Sequence, residues 1–345
     1  MDKNELIEWE STYQKISEVL KQARSSAWQA VNSAMVTAYW EIGKVIVEKE
    51  QAGKERAQYG EGLINNLSER LSKEFGKGFS IANLKDMRLF YLLYPKSQAL
   101  PSQLSWTHFR SLLHVEKSEA RAFYEKEAIA SRWSTRELDR QINSFLFERL
   151  ALSRDKKGVL ALAQKGHDIQ TPADLVKDPY VLEFTGIPES TKLLESTLEE
   201  ALITRMQQFL LELGKGFSFV GRQQRIHIGE KHFYIDLVFY NRFTRSFILI
   251  DLKTGELTHQ DIGQMQMYVN YYKRVITTTE ENPPIGIILC AKKDNAVVQF
   301  TLPEENKQIF VSKYKLYLPT EEELIQELEK EQKALEPLFK EEEEK

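Results

Sequence analysis

Cysteine is almost absent from this sequence of 345 residues, which contains Cys290 alone. A single cysteine excludes an intrachain disulfide framework and a cysteine-based zinc site. The sequence also has no run of 18 apolar residues, so we expect no membrane span. Its first residues lack the apolar core of a signal peptide. Together these absences favour a cytoplasmic protein.

Positive charge is not in excess either, because 47 Lys and Arg residues against 51 Asp and Glu residues give a net charge of -4. This balance argues against a generally basic coat for nucleic acid, although a local patch or a bound metal can still attract phosphate. Several enzyme motifs are missing as well. The sequence contains no G-x-x-x-x-G-K-[ST], no H-E-x-x-H and no G-x-S-x-G.

The two halves of the chain differ in their patterns. Residues 1–150 contain all five tryptophans and helical apolar spacings, which predict an all-α domain. Residues 151–190 carry turn signals typical of a connecting region. Residues 191–335 predict the order α-β-β-β-α-β, a further strand at 307–319 and a final helix at 321–335. Residues 336–345 form a charged tail.

Two predicted helices of the first half flank a glycine turn. The first covers residues 63–75, and the second covers residues 81–91 after Ser80 as its N-cap. Lys85 and Arg88 on the second helix are candidate DNA contacts, as in a helix-turn-helix motif. Simple packing of two helices is the favoured alternative, because such pairs greatly outnumber DNA-reading pairs.

The strongest functional signal lies in residues 231–272. Two predicted apolar strands, 232–240 and 246–253, each contain an acid, Asp236 and Asp251. A buried charge costs several kcal/mol unless it is paired or binds a metal. Because strand side chains alternate, Lys253 shares a face with Asp251, and hairpin pairing would bring Asp236 to the same face. Two carboxylates beside an ammonium group suit Mg²⁺, which prefers oxygen ligands and keeps several waters.

A third acid precedes these strands. A predicted helix over residues 194–213 has one apolar face, and Glu199 lies within roughly 40° of its centre. Glu199 could instead pair with an arginine or cap a strand end, but the two aspartates favour a role in organising metal or phosphate. The next predicted strand, 217–228, supplies three candidate DNA contacts: Arg222, Gln223 and Arg225.

These acids resemble the pattern of the PD-(D/E)XK nuclease superfamily, in which an acid on one strand is followed by acid-x-Lys on the next. Here the residues are Asp236 and then Asp251-Leu252-Lys253, with Ile235 in place of the proline. The pair Gln264-x-x-x-Tyr268 on the predicted helix 260–272 resembles the Q-x-x-x-Y signature of the exonuclease-like branch of that superfamily.

The sequence is also similar to the bacterial YhcG-type family over about residues 15–335. The similarity is most specific in residues 209–223, 234–240 and 263–270. Members pair a helical N-terminal domain with a C-terminal PD-(D/E)XK nuclease domain. The resemblance therefore implies two domains, an all-α domain followed by an α/β restriction-endonuclease-like domain with a mixed sheet.

The resemblance implies Mg²⁺-dependent hydrolysis of DNA, in which Mn²⁺ can substitute. Asp236, Asp251 and the Leu252 carbonyl would bind the metal, and Glu199 would complete the site. Lys253 would orient the attacking water or help to deprotonate it. Gln264 would position Lys253 or the substrate, with Tyr268 behind it.

Several alternatives stay open at this stage. The same fold could serve as a catalytically silent DNA-binding module or as a protein adaptor. RNA could replace DNA, because a metal site for phosphodiesters contacts phosphate first. A homodimer is compatible with the cutting of duplex DNA.

Overall fold

The first part of the chain is built from α-helices. The computed structural model describes residues 3–52, 57–96, 100–151, 156–188, 193–303, 305–320, 322–323 and 326. The helices of the first part are α1 (Lys3–Ala52), α2 (Ala57–Phe75), α3 (Ile81–Leu93), α4 (Trp106–Leu113), α5 (Ser118–Ser131), α6 (Thr135–Asn143), α7 (Leu146–Ala151) and α8 (Lys156–Lys165).

Helix ends follow the local signals. Helix α2 ends at Phe75 because Gly76 has a φ of 90°, a value that favours glycine. The Ser80 hydroxyl accepts a hydrogen bond from the Asn83 amide and caps α3, as predicted. Ser134 and Glu137 form the reciprocal bonds of a capping box at the start of α6.

Helices α1 and α3 pack closely in the first part. A Cβ atom at Gly43 would collide with the Met87 carbonyl, so only glycine permits this approach of the two backbones. Ile46, Leu84 and Met87 form a buried cluster at this contact. The predicted second helix of the helix-turn-helix therefore packs its apolar side on α1.

The second part contains a mixed sheet. Its strands are β1 (Tyr180–Val181), β2 (Phe217–Ile228), β3 (Lys231–Asn241), β4 (Ser246–Glu256), β5 (Ile285–Lys292) and β6 (Ile309–Lys315). Their order is β1-β6-β5-β4-β3-β2. Strands β2, β3 and β4 are antiparallel neighbours, whereas β4, β5, β6 and β1 are parallel. The predicted fold class, a helical part followed by an α/β domain with a mixed sheet, is confirmed.

Helices cover both faces of this sheet. They are α9 (Glu195–Thr204), α10 (Met206–Leu213), α11 (His259–Tyr271) and α12 (Asn295–Thr301). Helices α9 and α10 share one apolar cluster with the sheet, and α11 shares the cluster on the other face. Parallel strands of this kind need both faces covered, which explains the nearly continuous burial of β5.

Several elements differ from the prediction. The single helix predicted over 194–213 is wrong, because α9 and α10 are separated at Arg205, whose φ of -110° and ψ of 34° are not helical. Leu198, Leu202 and Phe209 still pack in one cluster, so the break leaves the apolar stripe in place. Strand β1 and helix α12 had no predicted counterpart. The predicted final helix, 321–335, lies almost wholly outside the described residues.

Contacts divide the chain into two units, one up to Asp139 and one from Arg140 onward. Helices α7 and α8 thus belong to the second unit. The division into parts at residues 150, 190 and 335 stays a prediction. No helix in the described ranges is both long enough and apolar enough to span a bilayer.

Candidate active site

The predicted acids meet where β3 and β4 separate. The ladder between these strands reaches Leu237 and Ile250. Beyond that pair, the Asp236 Oδ2 atom accepts a hydrogen bond of 2.8 Å from the backbone amide of Leu252. The Asp236 side chain therefore takes the place of a main-chain acceptor and lies directly beside the Asp251-Leu252-Lys253 segment.

Strand alternation sets the direction of the site residues on β4. Ile250 and Leu252 pack in the apolar cluster with α9 and α10, and Leu249 packs in the cluster with α11. Asp251 and Lys253 therefore lie on the α11 face. The Lys253 Nζ atom is 2.9 Å from the Asp251 Oδ2 atom, so the two form an ion pair.

Asp251 is short of positive charge in spite of this ion pair. Its side chain is almost fully buried. Burial first, and then the negative charge of Asp236, raise the pKa of Asp251 to about 7, although Lys253 opposes the shift. A further cation at this place would therefore stabilise the charged form of the Asp251 carboxyl group.

Lys253 lies among several acids. Burial disfavours its charged form, but Asp251, Glu195 and Asp236 outweigh burial and raise the pKa of Lys253 above its ordinary value. Its Nζ atom is 3.7 Å from a Glu195 carboxylate oxygen and 4.0 Å from one of Asp261. Lys253 is consequently a charged hydrogen-bond donor at neutral pH.

Glu199 joins the site through Gln223. The Gln223 amide nitrogen donates to Glu199 at 2.6 Å and to Asp236 at 3.0 Å. Burial first, and then Asp236, raise the pKa of Glu199, while the bond from Gln223 and the charge of Arg222 lower it. Glu199 was predicted to lie on the apolar face of its helix. Its burial agrees with this, since 8% of the residue is exposed.

Gln223 reaches the acids from an unusual backbone conformation. It lies opposite Asp236, between the pairs Arg222 with Leu237 and Gln224 with Ile235. Its φ of 46° is in the left-handed region, which costs a non-glycine residue of the order of 1–3 kcal/mol. The sequence placed Gln223 among the candidate DNA contacts, whereas the structure places its amide between two carboxylates.

Gln264 and Tyr268 form a hydrogen-bonded pair behind the acids. The Gln264 amide nitrogen donates to the Tyr268 hydroxyl, which itself donates to the Tyr234 carbonyl oxygen at 2.9 Å. Tyr268 is 1% exposed, and burial is the first cause that raises its pKa to about 12. This pair joins α11 to β3, and its predicted catalytic role stays a prediction.

The other candidate DNA contacts lie in two places. Lys85 is exposed on α3, and Arg88 on the same helix pairs with Glu50 of α1 at 2.6 Å. Arg222 and Arg225 are exposed on β2. The Arg225 guanidinium contacts the His232 Nε2 atom at 2.8 Å. None of these contacts tests a role in DNA binding.

The oxygen atoms gathered at this site are of the kind that bind a hard cation. Asp236, Asp251 and the Leu252 carbonyl offer oxygen ligands, which Mg²⁺ prefers. Within the described ranges, no three or more His, Cys, Asp or Glu side chains are grouped closely enough to hold a metal. The Gln223 amide links Glu199 to Asp236. Glu199 could therefore act as a third carboxylate ligand only if that amide turned away.

Sequence reasoning missed two acids beside Lys253. Asp261 accepts hydrogen bonds from the Thr258 amide and hydroxyl at the start of α11. The spacing Thr258-x-x-Asp261 is a capping-box signal that could have located it. Glu195 stands at the first position of α9, and no sequence pattern marks it.

Comparisons with known proteins cover nearly the whole chain. The family described as the YhcG PDDEXK nuclease domain matches residues 173–330. The family described as the DUF1016 N-terminal domain matches residues 15–149. A protein of Escherichia coli (strain K12) named "Putative nuclease YhcG" is 38% identical over 361 residues, which cover 95% of this chain and 96% of that protein.

Solved structures match part of the chain. A repair endonuclease from Pyrococcus abyssi matches at 15% identity and a TM-score of 0.26, over 38% of this chain and 50% of that chain. The EndoMS-dsDNA2 complex matches at 17% identity and a TM-score of 0.27, over 39% and 49%.

The sequence similarity extends through both units at 38% identity. The PDDEXK match includes Glu199, Asp236 and Asp251, which we call the acid cluster. This chain therefore belongs to the YhcG family of PDDEXK nucleases.

Proposed function

We propose that this chain hydrolyses phosphodiester bonds of DNA with Mg²⁺ as its metal. The observation that carries the proposal is the convergence of Asp236, Asp251 and Lys253 at the point where β3 and β4 separate. Two carboxylates lie there beside one ammonium group, and the Asp251 side chain is almost fully buried. Such a cluster is costly to bury without a function.

In this proposal Asp236, Asp251 and the Leu252 carbonyl hold the metal, and Glu199 completes the site. When bound, Mg²⁺ lowers the pKa of a coordinated water and stabilises charge on the phosphate; Mn²⁺ can substitute. The charged Lys253 orients the water and donates to a phosphate oxygen. Its raised pKa makes it a poor proton acceptor, so we assign it the orienting role rather than deprotonation.

Substrate contacts extend from this cluster along β2. Arg222 and Arg225 are exposed on the strand that pairs with the Asp236 strand. We assign them to phosphate binding, because an arginine guanidinium donates two parallel hydrogen bonds to phosphate oxygens. Lys85 and Arg88 on α3 are the corresponding candidates in the helical unit.

The test is cleavage of plasmid and branched DNA with Mg²⁺ or Mn²⁺. We expect Asp251→Asn and Lys253→Met each to reduce the cleavage rate by roughly 100-fold to 1,000-fold. Asp168→Asn is the matched control, since Asp168 is exposed and lies outside the acid cluster. Far-UV circular dichroism checks that each variant folds.

The outcomes separate the alternatives. Equal cleavage by wild type and both site variants would contradict the assigned site. Metal-dependent cleavage of RNA but not of DNA would contradict the substrate class. Metal-independent DNA or protein binding, with no cleavage of either nucleic acid, would favour a silent binding module or an adaptor.

A further inference from the structure

The first half of α1 carries large apolar side chains that its own unit leaves exposed. From Trp9 to Val31 every residue is exposed except Ser17, which is half-buried. Burial on α1 begins further along, where Val36 is 3% exposed and Trp40 is 6% exposed. This second half of the helix packs on α3.

The exposed apolar residues share one side of the helix. At about 100° per residue, six of them fall within a band about 120° wide. We call this band the α1 face: Trp9 (70% exposed), Tyr13 (67%), Ile16 (56%), Leu20 (55%), Trp28 (64%) and Val31 (61%). Val36 and Trp40 lie about 140° and about 180° round the helix from its centre. The α1 face is thus distinct from the side that packs on α3.

The size of the α1 face exceeds that of an ordinary exposed patch. The largest apolar patch on a typical monomer is about 300–600 Å². The exposed fractions of the six residues give roughly 800 Å², which matches the share of one partner in a standard interface. Moreover, a helix solvated on all sides is marginally stable, because helices in proteins gain most of their stability from packing an apolar face.

We propose that the α1 face is the contact between two copies of this chain, with the two helices antiparallel. Trp9, Tyr13, Ile16 and Leu20 follow one another at spacings of four, three and four residues, the seam along which one helix packs on another. A single straight seam is complementary to itself under a two-fold axis, which is the commonest symmetry of soluble oligomers. The proposal does not depend on the nuclease activity.

Charges beside the seam select the antiparallel direction. Relative to the seam from Trp9 to Leu20, Glu10, Lys21 and Arg24 lie on one side, with Arg24 inside the band of the α1 face. Val19 and Ser26 flank the other side, and Lys15 lies further round on that side. In an antiparallel pair each flank meets its own copy, so that Glu10 approaches Lys21 or Arg24 of the second helix. A parallel pair would place the charged flank of one helix against the uncharged flank of the other.

The first experiment measures the mass of the full-length protein by light scattering after size-exclusion chromatography, over a wide range of concentrations. We expect twice the chain mass for wild type and the mass of one chain for Ile16→Asp/Leu20→Asp. The matched control is Gln22→Asp/Ser25→Asp, which adds the same charge on the opposite side of the helix and should remain dimeric. All four positions are exposed, so neither variant disturbs the core.

Other occupants of the α1 face give different results. A monomeric wild type would overturn the proposal and point to another protein, or to the segment after residue 326 of the same chain. A dimer that survives Ile16→Asp/Leu20→Asp would also overturn it, because the contact would lie on another surface. A larger oligomer that the variant dissolves would contradict a two-helix contact.

A charge exchange tests the direction of the pair. We expect Glu10→Lys to weaken dimerisation roughly fivefold, because two exposed ion pairs are lost for each dimer. Adding Lys21→Glu and Arg24→Glu to that variant should restore the wild-type dissociation constant. A triple variant that dimerises no better than Glu10→Lys would overturn the antiparallel arrangement.

Discussion

At the scale of single residues, the Gln223 amide links two acids of the candidate site. Its amide nitrogen lies 2.6 Å from Glu199 and 3.0 Å from Asp236, and so bridges two carboxylates that repel each other when both are charged. A cation in the place of this amide nitrogen would have the same two carboxylates as ligands. Gln223 therefore stabilises the observed arrangement of Glu199 and Asp236, and Glu199 would reach the proposed metal only after the amide turns.

We predict that Gln223→Glu destabilises the metal-free protein by about 1–3 kcal/mol, because a donor is lost and a third carboxylate is added. Mg²⁺ should stabilise this variant more than it stabilises wild type. Thermal unfolding with and without Mg²⁺ measures both effects. Ser218→Glu, at an exposed position of the same strand, is the control and should change neither. Equal metal-free stability of Gln223→Glu and wild type would contradict the role assigned to the amide.

The sequence predicted that Asp236, Asp251 and Lys253 meet, because side chains of paired strands alternate between the two faces of the sheet. The position of the Gln223 amide could not be predicted in this way. It depends on a φ of 46°, which no local pattern encodes. The contact of Glu195 with Lys253 was likewise hidden, since it joins residues that are far apart in sequence.

At the scale of elements, a buried ion cluster ties α10 to the helices before the sheet. Glu212 is fully buried on α10. It pairs with Arg149 of α7 at 2.6 Å and with Arg140 of α6 at 3.1 Å, and it accepts from the amide of Val181 in β1 at 3.0 Å. Removing one partner of such a cluster leaves uncompensated buried charge.

Glu212→Gln should therefore lower the free energy of unfolding by about 3–5 kcal/mol at neutral pH. Burial alone would raise the pKa of Glu212, but Arg149, Lys177 and Arg140 lower it to about 2. Because the folded pKa is depressed, this stabilisation is present above the ordinary carboxyl range and is lost as the pH falls toward 2. Urea unfolding at several pH values should show the gap between wild type and variant closing in acid.

Glu200→Gln is the control for this measurement, because Glu200 is exposed on α9. It should unfold like wild type at every pH. A Glu212→Gln variant as stable as wild type at neutral pH would show that the cluster contributes no net stability. That outcome is known for buried ion pairs whose desolvation equals their attraction.

The elements that the sequence located well are the ones with strong periodicity and clear ends. Strand β2 has the predicted bounds, and β3, β4 and α11 are within three residues of theirs. Helix α12 is short and consists largely of polar and β-branched residues, so no apolar period marks it. Strand β1 has two residues, and only pairing with β6 defines it. The break at Arg205 has no proline or glycine to announce it.

At the scale of the whole molecule, the distribution of tryptophan provides separate signals for the two units. All five tryptophans, from Trp9 to Trp133, lie in the unit that ends at Asp139. The described β-strands all lie in the unit that begins at Arg140. Tryptophan fluorescence therefore reports the helical unit, while the β-sheet signal of circular dichroism reports the unit with the acid cluster.

A metal that binds only the folded second unit should stabilise that unit by mass action, by about 2.7 kcal/mol at a concentration 100 times its dissociation constant. We expect Mg²⁺ to raise the unfolding temperature of the β-sheet signal and EDTA to reverse the change, with a smaller shift in tryptophan fluorescence. Asp251→Asn should abolish the Mg²⁺ response while keeping the fold. A shift confined to tryptophan fluorescence would place the cation in the helical unit. A full response in Asp251→Asn would remove Asp251 from the ligand set and, with it, the argument that its buried carboxylate marks the metal site.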